Sequence, residues 1–247
     1  MNEREYHDRH YAEEAERIFS GPLFRRVHRR TAQEFLRRTG VGGGERLLSL
    51  GCGDGAIERE LAPHVGEIVG LDVSGVAVAR ARAAARGLSN LSFVECDPRG
   101  HALDAWGRFD AIAAFAFLHH LDDAGIDALL AQARGALPDG GCFYSVDPSR
   151  RRMVRVFAAL VRGAYERHHS PDERELDPEG IAAAARRAGF ARTELRYTDF
   201  FLGPLAWLAP GTPRWTAPAL AALDALALHT PLMRRYASSF SLLARPA

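Results

Sequence analysis

The feature that most constrains this chain is a glycine-rich turn between a short apolar run and a helical pattern. Residues 47–61 read LLSLGCGDGAIEREL, so a strand is predicted to end at Leu50 and a helix to begin a few residues later. Gly51, Gly53 and Gly55 permit a tight turn and let a ligand approach the backbone closely. Asp54 adds a negative charge to that turn.

Short apolar runs recur along the chain and alternate with helical stretches. The alternation predicts an α/β fold with a mostly parallel sheet and helices on both faces. Ligands of such sheets bind at the carboxyl ends of the strands. The predicted strands are residues 46–50, 67–71, 91–95, 109–115 and 141–146, and the clearest helices between them are residues 76–86 and 126–137.

Composition limits the function further. With 247 residues and 47% hydrophobic content, the chain can form one substantial core. The net charge of +1 gives no overall attraction to nucleic acid. All 32 basic residues are arginine, so Schiff-base lysines, lysine bases and phosphate-binding P-loops are excluded.

The three cysteines and the first residues bear on the compartment. Cys52, Cys96 and Cys142 are far apart and odd in number, which fits neither a disulfide framework nor a zinc site. The charged N-terminus does not resemble a signal peptide. These features predict a cytoplasmic protein.

The residues that follow the predicted strands suit an adenosine. Asp72 follows the second strand about 20 residues beyond Gly51, where an acidic side chain accepts hydrogen bonds from ribose hydroxyls. Asp97 follows the third strand, and residues 115–121 follow the fourth. A glycine turn and two acids at successive strand ends therefore predict an adenosine pocket.

Two adenosine cofactors compete for this pocket. The pattern Gly51-x-Gly53-x-x-Ala56 satisfies a relaxed dinucleotide fingerprint, so NAD stays an alternative. A pyrophosphate over this turn would, however, meet the like charge of Asp54, with Glu58 close behind. S-adenosylmethionine carries ammonium and sulfonium cations instead of phosphate, and the acidic turn favours it.

Several motifs in order resemble the class I S-adenosylmethionine-dependent methyltransferases, in particular their small-molecule branch. The first motif stands as residues 48–55, with Ser49 in place of the usual acidic residue. Further matches are residues 70–74, 109–121 and 137–141. The resemblance implies a Rossmann-like doubly wound seven-stranded sheet whose last strand, residues 238–244, is antiparallel beside the fifth.

The resemblance also implies roles for individual residues. The turn would line the methionyl part of the cofactor, Asp72 would hold the ribose, and residues after the third and fourth strands would surround the adenine. The cofactor-binding residues implied or proposed are Tyr11, Gly51, Cys52, Gly53, Asp72, Val73, Cys96, Asp97, Pro98, Phe115 and Ala116.

A hydroxyl acceptor would need a base, whereas a phenolate, amine or carbon nucleophile could need positioning alone. His119, His120 and His168 are the catalytic candidates, with Asp147 as a further one. A histidine pair after the fourth strand is often structural in this family. His168-His169 lacks partners at metal-ligand spacing, and no metal site is predicted.

Segments outside the common core are expected to bind the acceptor. Residues 1–40 are predicted to form a helical lid on a methyltransferase domain at 41–247, with Tyr11 near the cofactor. Helical insertions at about 150–180 and 201–235 would form a substrate cap. The apolar character of 200–229 indicates a lipophilic acceptor, a peripheral membrane contact or a homodimer, while its prolines and charges argue against a membrane span.

The sequence thus favours methyl transfer from S-adenosylmethionine to a small, lipophilic acceptor. The alternatives are an NAD-dependent oxidoreductase and a protein that binds S-adenosylmethionine for chemistry other than methyl transfer. A nucleic-acid substrate is disfavoured, because the residues after the fourth strand lack the Pro-Pro-aromatic motif of enzymes that methylate flipped bases.

Overall fold

A computed structural model describes residues 3–13, 19, 21–152 and 173–246. They contain a seven-stranded sheet of order β3-β2-β1-β4-β5-β7-β6. Strands β1 to β5 pair in parallel, and β7 runs antiparallel between β5 and β6. The predicted Rossmann-like topology is therefore confirmed. The strands are β1 (Arg46–Leu50), β2 (Glu67–Asp72), β3 (Leu91–Glu95), β4 (Ala111–Phe115), β5 (Cys142–Pro148), β6 (Arg192–Thr198) and β7 (Ser239–Arg245).

Helices flank the sheet, and local capping fixes where two of them begin. The Ser74 hydroxyl accepts the Ala77 N–H, and the Asp122 carboxylate accepts the Gly125 N–H, so both helices start earlier than their apolar patterns predict. The α-helices are α1 (Glu3–Glu13), α2 (Pro22–Thr39), α3 (Ala56–Leu61), α4 (Gly75–Ala84), α5 (Asp123–Ala136), α6 (Pro178–Arg187), α7 (Leu202–Leu208) and α8 (Ala217–His229).

Both faces of the sheet are buried. On one face α2 packs through Phe35 against the sheet residues Leu47 and Tyr144. On the other, apolar residues of α5 and α6 form a larger cluster with the sheet. Each fully buried aliphatic or aromatic side chain contributes about 1.5–3 kcal/mol, so the central strands fix the position of the loops at their ends.

Helix α1 lies against the start of α4. The Asp8 carboxylate accepts hydrogen bonds from the Ser74 hydroxyl at 2.6 Å and from the Val76 N–H at 3.3 Å. Arg4 forms an ion pair with Glu95 at the end of β3. These contacts hold α1 over the carboxyl ends of β2 and β3.

A buried ionic cluster joins α2 to the segment between β6 and β7. The Arg30 guanidinium lies 3.0 Å from Asp224 and 3.1 Å from Asp199. Asp224 also accepts the N–H groups of Phe200 and Phe201 at 3.0 and 2.6 Å. Helices α7 and α8 are thereby attached to the main body, whereas their assignment as a substrate cap stays a prediction.

Most of the predicted insertion at 150–180, including its basic helix and His168, lies outside the described residues. Within the parts of the chain that the structure describes, no helix combines the length and the apolar character needed to cross a membrane.

Candidate functional site

The glycine turn follows β1 and is closely covered by aromatic side chains. Gly51, Gly53 and Gly55 have φ angles of +67°, +54° and +71°. A side-chain carbon at Gly51 would lie 2.5 Å from the Phe117 ring, and one at Gly53 would collide with the Tyr11 hydroxyl. Glycine is therefore required here both for backbone conformation and for space.

Asp72 ties this turn to the end of β2. Its two carboxylate oxygens accept the Gly53 N–H at 2.8 Å and the Ser74 N–H at 2.9 Å. Only 8% of the residue is exposed, and burial raises the pKa of the Asp72 carboxyl, against the effect of the two backbone donors. The carboxylate is thus positioned before any ligand binds.

A cavity of about 80 Å³ lies beside Asp72 at the ends of the parallel strands. Cys96 does not line it; its sulfur instead lies 3.3 Å from His101 Nδ1. The predicted cofactor residues that line this cavity are Tyr11, Gly51, Asp72, Val73, Asp97, Pro98 and Ala116, and Phe117 and Arg99 join them.

Asp97 is paired with a residue that the sequence reasoning missed. The Arg99 guanidinium contacts both carboxylate oxygens of Asp97, with Nη2 2.8 Å from Oδ2 and Nε 2.9 Å from Oδ1. Asp97 therefore faces the small cavity with part of its hydrogen-bonding capacity already used by a charged neighbour.

A second cavity, of about 360 Å³, extends from the glycine turn towards α2 and α7. Phe19, Phe24 and Trp207 form one side of it, with ring centroids 5.2–5.5 Å apart in edge-to-face contacts. Phe115 and Cys52 also line it. These rings give the outer part of the cavity an apolar surface.

The two cavities meet at the residues that line both of them, which are His7, Tyr11, Gly51, Ala116 and His120. Ala116 holds a φ of +53°, unusual for a residue with a side chain, and its N–H donates to the Val146 carbonyl at 2.7 Å. The strained peptide forms the floor of the junction.

A polar wall follows β4 at the inner end of the larger cavity. The His119 and His120 ring centroids are 4.1 Å apart, and His119 Nδ1 lies 3.2 Å from Asp147 Oδ1. Asp147 is buried at the end of β5, and burial raises the pKa of its carboxyl to about 7. His7, on α1, contacts the His120 ring edge-on at a centroid distance of 5.0 Å.

Glu173 adds a carboxylate to this wall. Among the described residues, His119, His120 and Glu173 each place a potential metal-ligand atom within 4.8 Å of the others. The expectation of no metal site considered His168-His169, which the structure does not describe. Sequence spacing gives no signal for Glu173, because chain topology alone brings it to the histidine pair.

A carboxylate also stands beside the position where Ser49 replaces the acidic residue of the first motif. The Ser49 hydroxyl lies 2.5 Å from Oε1 of Glu58, whose side chain returns from α3. Glu58 is 1% exposed, and burial raises the pKa of its carboxyl from 4.5 to about 7. The Glu58 carboxyl group, on α3, therefore lies beside the motif position where an acidic residue of β1 is usual.

Known proteins with similar sequences are methyltransferases. A family model described as "Methyltransferase domain" matches residues 47–141. A ubiquinone biosynthesis O-methyltransferase of Acinetobacter baumannii (strain AYE) is 24% identical over 188 residues, covering 70% of this chain and 75% of that protein.

Two solved structures are similar in fold. Magnesium protoporphyrin IX methyltransferase from Synechocystis PCC 6803 with bound SAH has a TM-score of 0.66 and 16% identity, covering 99% of this chain and 98% of its own. The [4+2]-cyclase SpnF has a TM-score of 0.61 and 23% identity, covering 88% and 80%.

The buried Glu58 carboxyl gives the first prediction. Its pKa is higher in the folded protein than in the unfolded chain, so the folded state keeps a proton between pH 4.5 and about 7 that the unfolded state has released. Stability contributed by this group therefore decreases as pH rises through that window. Glu58→Gln should raise the free energy of unfolding by roughly 2–3 kcal/mol at pH 8 and change it little at pH 4.

Denaturant unfolding of the ligand-free protein at both pH values measures this difference. Glu60→Gln on the same helix is the matched control, because Glu60 forms a partly exposed ion pair with Arg29, and its effect should stay below about 1 kcal/mol. An equal effect of Glu58→Gln at pH 4 and pH 8 would contradict the assignment.

Proposed function

Because the chain is a class I S-adenosylmethionine-dependent methyltransferase, we propose that it transfers a methyl group to a hydroxyl oxygen of a small, lipophilic acceptor. One observation carries this proposal. The larger cavity has an apolar outer part and a histidine wall at its inner end, where it meets the glycine turn. The family model and the relatives are methyltransferases, so they do not support the alternative of an NAD-dependent oxidoreductase.

The residues at the turn fit the cofactor. S-adenosylmethionine supplies an electrophilic methyl group carried on a sulfonium cation. Asp72 presents a fixed, buried carboxylate suited to the ribose hydroxyls, and Asp54 would add negative charge near the cationic portion. The absence of side chains at Gly51 and Gly53 lets the Phe117 ring and the Tyr11 hydroxyl pack directly against the turn.

The acceptor class is inferred from the larger cavity and from the relatives. Phe19, Phe24 and Trp207 would bury an apolar chain, and about 360 Å³ accommodates a small organic molecule. The relatives named ubiquinone biosynthesis O-methyltransferases support an acceptor that combines an apolar body with a hydroxyl group.

His119 and His120 would face the reacting hydroxyl at the inner end of this cavity. The Asp147 carboxylate fixes the orientation of His119 through Nδ1. Phe115 and Ala116 would support the ligand from below. His168 stays a prediction from sequence alone.

The role of Asp72 can be tested by Asp72→Asn. An amide offers one acceptor oxygen, so the Gly53 and Ser74 N–H groups can no longer both be satisfied, and the charged ribose acceptor is lost. We expect the Kd for S-adenosylmethionine, measured by calorimetry, to rise roughly 30–100-fold, equivalent to about 2–3 kcal/mol. The exposed Asp139→Asn is the control, and an unchanged Kd in Asp72→Asn would exclude the ribose role.

The acceptor proposal is tested with 4-alkylphenols and 4-alkylcatechols from ethyl to octyl and methyl-labelled cofactor. Each added methylene should raise kcat/KM roughly threefold to fourfold until the cavity is filled, because burying one methylene group contributes about 0.8 kcal/mol of binding free energy. Trp207→Ala should reduce kcat/KM for the longest acceptors at least about tenfold and leave cofactor affinity unchanged.

Trp215→Ala is the matched control, since Trp215 is 77% exposed and does not line the cavity. No dependence on chain length would contradict a lipophilic acceptor. Cofactor binding without any methylated product would favour the alternative in which the protein binds S-adenosylmethionine for chemistry other than methyl transfer; one protein of similar fold, SpnF, is named a [4+2]-cyclase.

We further propose that an exposed apolar patch around the end of α8 contacts an anionic lipid surface, from which a lipophilic acceptor would be taken. Leu226 and Leu232 are 68% and 72% exposed. Arg234 and Arg235 lie within the same stretch, and each arginine near an anionic bilayer contributes about 1 kcal/mol. The patch consists of Leu226, Leu232, Met233 and Tyr236.

Sedimentation with vesicles tests this contact. The protein should bind vesicles that contain phosphatidylserine more strongly than pure phosphatidylcholine vesicles, and Leu226→Ser with Leu232→Ser should lower binding at least about tenfold. Equal sedimentation of both proteins would contradict the proposal. If the solution mass of the protein instead doubles as its concentration rises, and the same substitutions restore the monomer mass, the patch is the interface of a homodimer.

A further inference from the structure

We propose that His119, His120 and Glu173 bind a divalent cation of the zinc type at the inner end of the larger cavity, and that this cation holds the acceptor hydroxyl. Two imidazoles and one carboxylate form a ligand set used by catalytic zinc sites, which keep a further position open for water or substrate. The identity of the acceptor rests on the proposed function, whereas cation binding does not.

The three side chains converge on one point. Their potential ligand atoms all lie within 4.8 Å of one another, compared with about 3.3 Å between neighbouring ligands of a tetrahedral zinc ion. Binding a zinc ion would therefore require side-chain rotations that bring the three ligand atoms closer together. All three residues line the larger cavity, so a bound cation would be accessible to a ligand there.

Backbone hydrogen bonds hold Glu173 next to the histidine pair. The Arg174 N–H donates to the His119 carbonyl at 3.0 Å, directly beside the proposed ligands. Two residues further along, the Leu176 N–H donates to the Pro148 carbonyl at 3.1 Å at the end of β5. The site is therefore built from two chain segments attached to each other by main-chain contacts.

Asp147 supplies the outer contact that metal-binding histidines commonly have. Its Oδ1 lies 3.2 Å from His119 Nδ1 and also accepts the His119 N–H at 3.2 Å. With Nδ1 directed at the Asp147 carboxylate, a cation would bind His119 through Nε2. Such a second contact fixes the ring and makes the ligand more basic.

The arginines beside the site are paired with acids. Arg174 lies 2.7 Å from Asp123 and donates to the Leu121 carbonyl at 2.6 Å. Arg152 lies 2.5 Å from Glu175. Because these guanidinium groups have acidic partners, their repulsion of a bound cation is reduced.

A cation at this site would promote deprotonation of the acceptor hydroxyl group. When the acceptor oxygen binds the cation, its O–H bond breaks, the proton passes to water in the cavity, and the oxygen stays on the cation as an alkoxide or phenolate. Coordination lowers the pKa of a bound hydroxyl in this way. If a histidine instead acted as the base, methyl transfer would not depend on a cation. The metal dependence of methyl transfer therefore distinguishes a histidine base from a bound cation.

Titration of the chelator-treated protein with Zn²⁺, in competition with a chromophoric chelator, tests the site. We expect one cation per chain, and visible absorption bands with Co²⁺ that report coordination by nitrogen and oxygen. Glu173→Gln and His120→Ala should each lower the affinity at least about 100-fold, more than the 10–100-fold typical of losing an outer contact. Glu175→Gln on the same segment and His229→Ala on the surface should change it less than about threefold.

Circular dichroism verifies that each variant folds. Absence of stoichiometric Zn²⁺ binding, or binding that Glu173→Gln leaves unchanged, overturns the metal site. Full methyl transfer by metal-free protein overturns activation by the cation and favours a histidine base, while the proposed function stands. Stoichiometric binding without product from any phenol or catechol leaves the metal site intact and rejects the acceptor class.

Discussion

The two hydrogen bonds that Asp72 accepts are the constraint on which the site depends. Three glycines in the turn after β1 adopt positive φ angles, so the turn has little conformational preference of its own. The parallel pairing of β1 with β2 brings the end of β2 alongside, and the Asp72 carboxylate fixes the Gly53 N–H there. The order of the strands therefore determines the geometry of the ligand site, because it places the buried Asp72 side chain beside the glycine turn.

The sequence predicted the sheet well because its central strands are buried on both faces and read as apolar runs. β6 gave no such signal, since its residues alternate between half-buried and exposed at the sheet edge. The spacing between Gly51 and Asp72 was informative because a strand-helix-strand unit has a nearly fixed length. Helix starts at Gly75 and Asp123 depended on capping side chains that apolar periodicity does not include.

Contacts made by chain topology were beyond the sequence. Glu58 on α3 accepts a hydrogen bond from the Ser49 hydroxyl of β1, and Arg99 pairs with Asp97 within the loop after β3; neither contact follows from a sequence motif. The contact between the Cys96 sulfur and His101 was likewise not predicted, and the place of Cys96 beside the cofactor stays a prediction. Glu173 joins the histidine pair through an irregular segment that carries no motif.

The Arg30, Asp199 and Asp224 cluster links three distant parts of the chain: α2, the end of β6, and α8. Arg30 is the cation shared by both buried aspartates, so removing it would leave two buried carboxyl groups without their ion-pair partner, a change that typically costs several kcal/mol. The segment between β6 and β7 thus belongs to the same cooperative unit as the sheet. Its amide hydrogens are expected to exchange with solvent through the same opening events as those of α2, so it is not a detachable module.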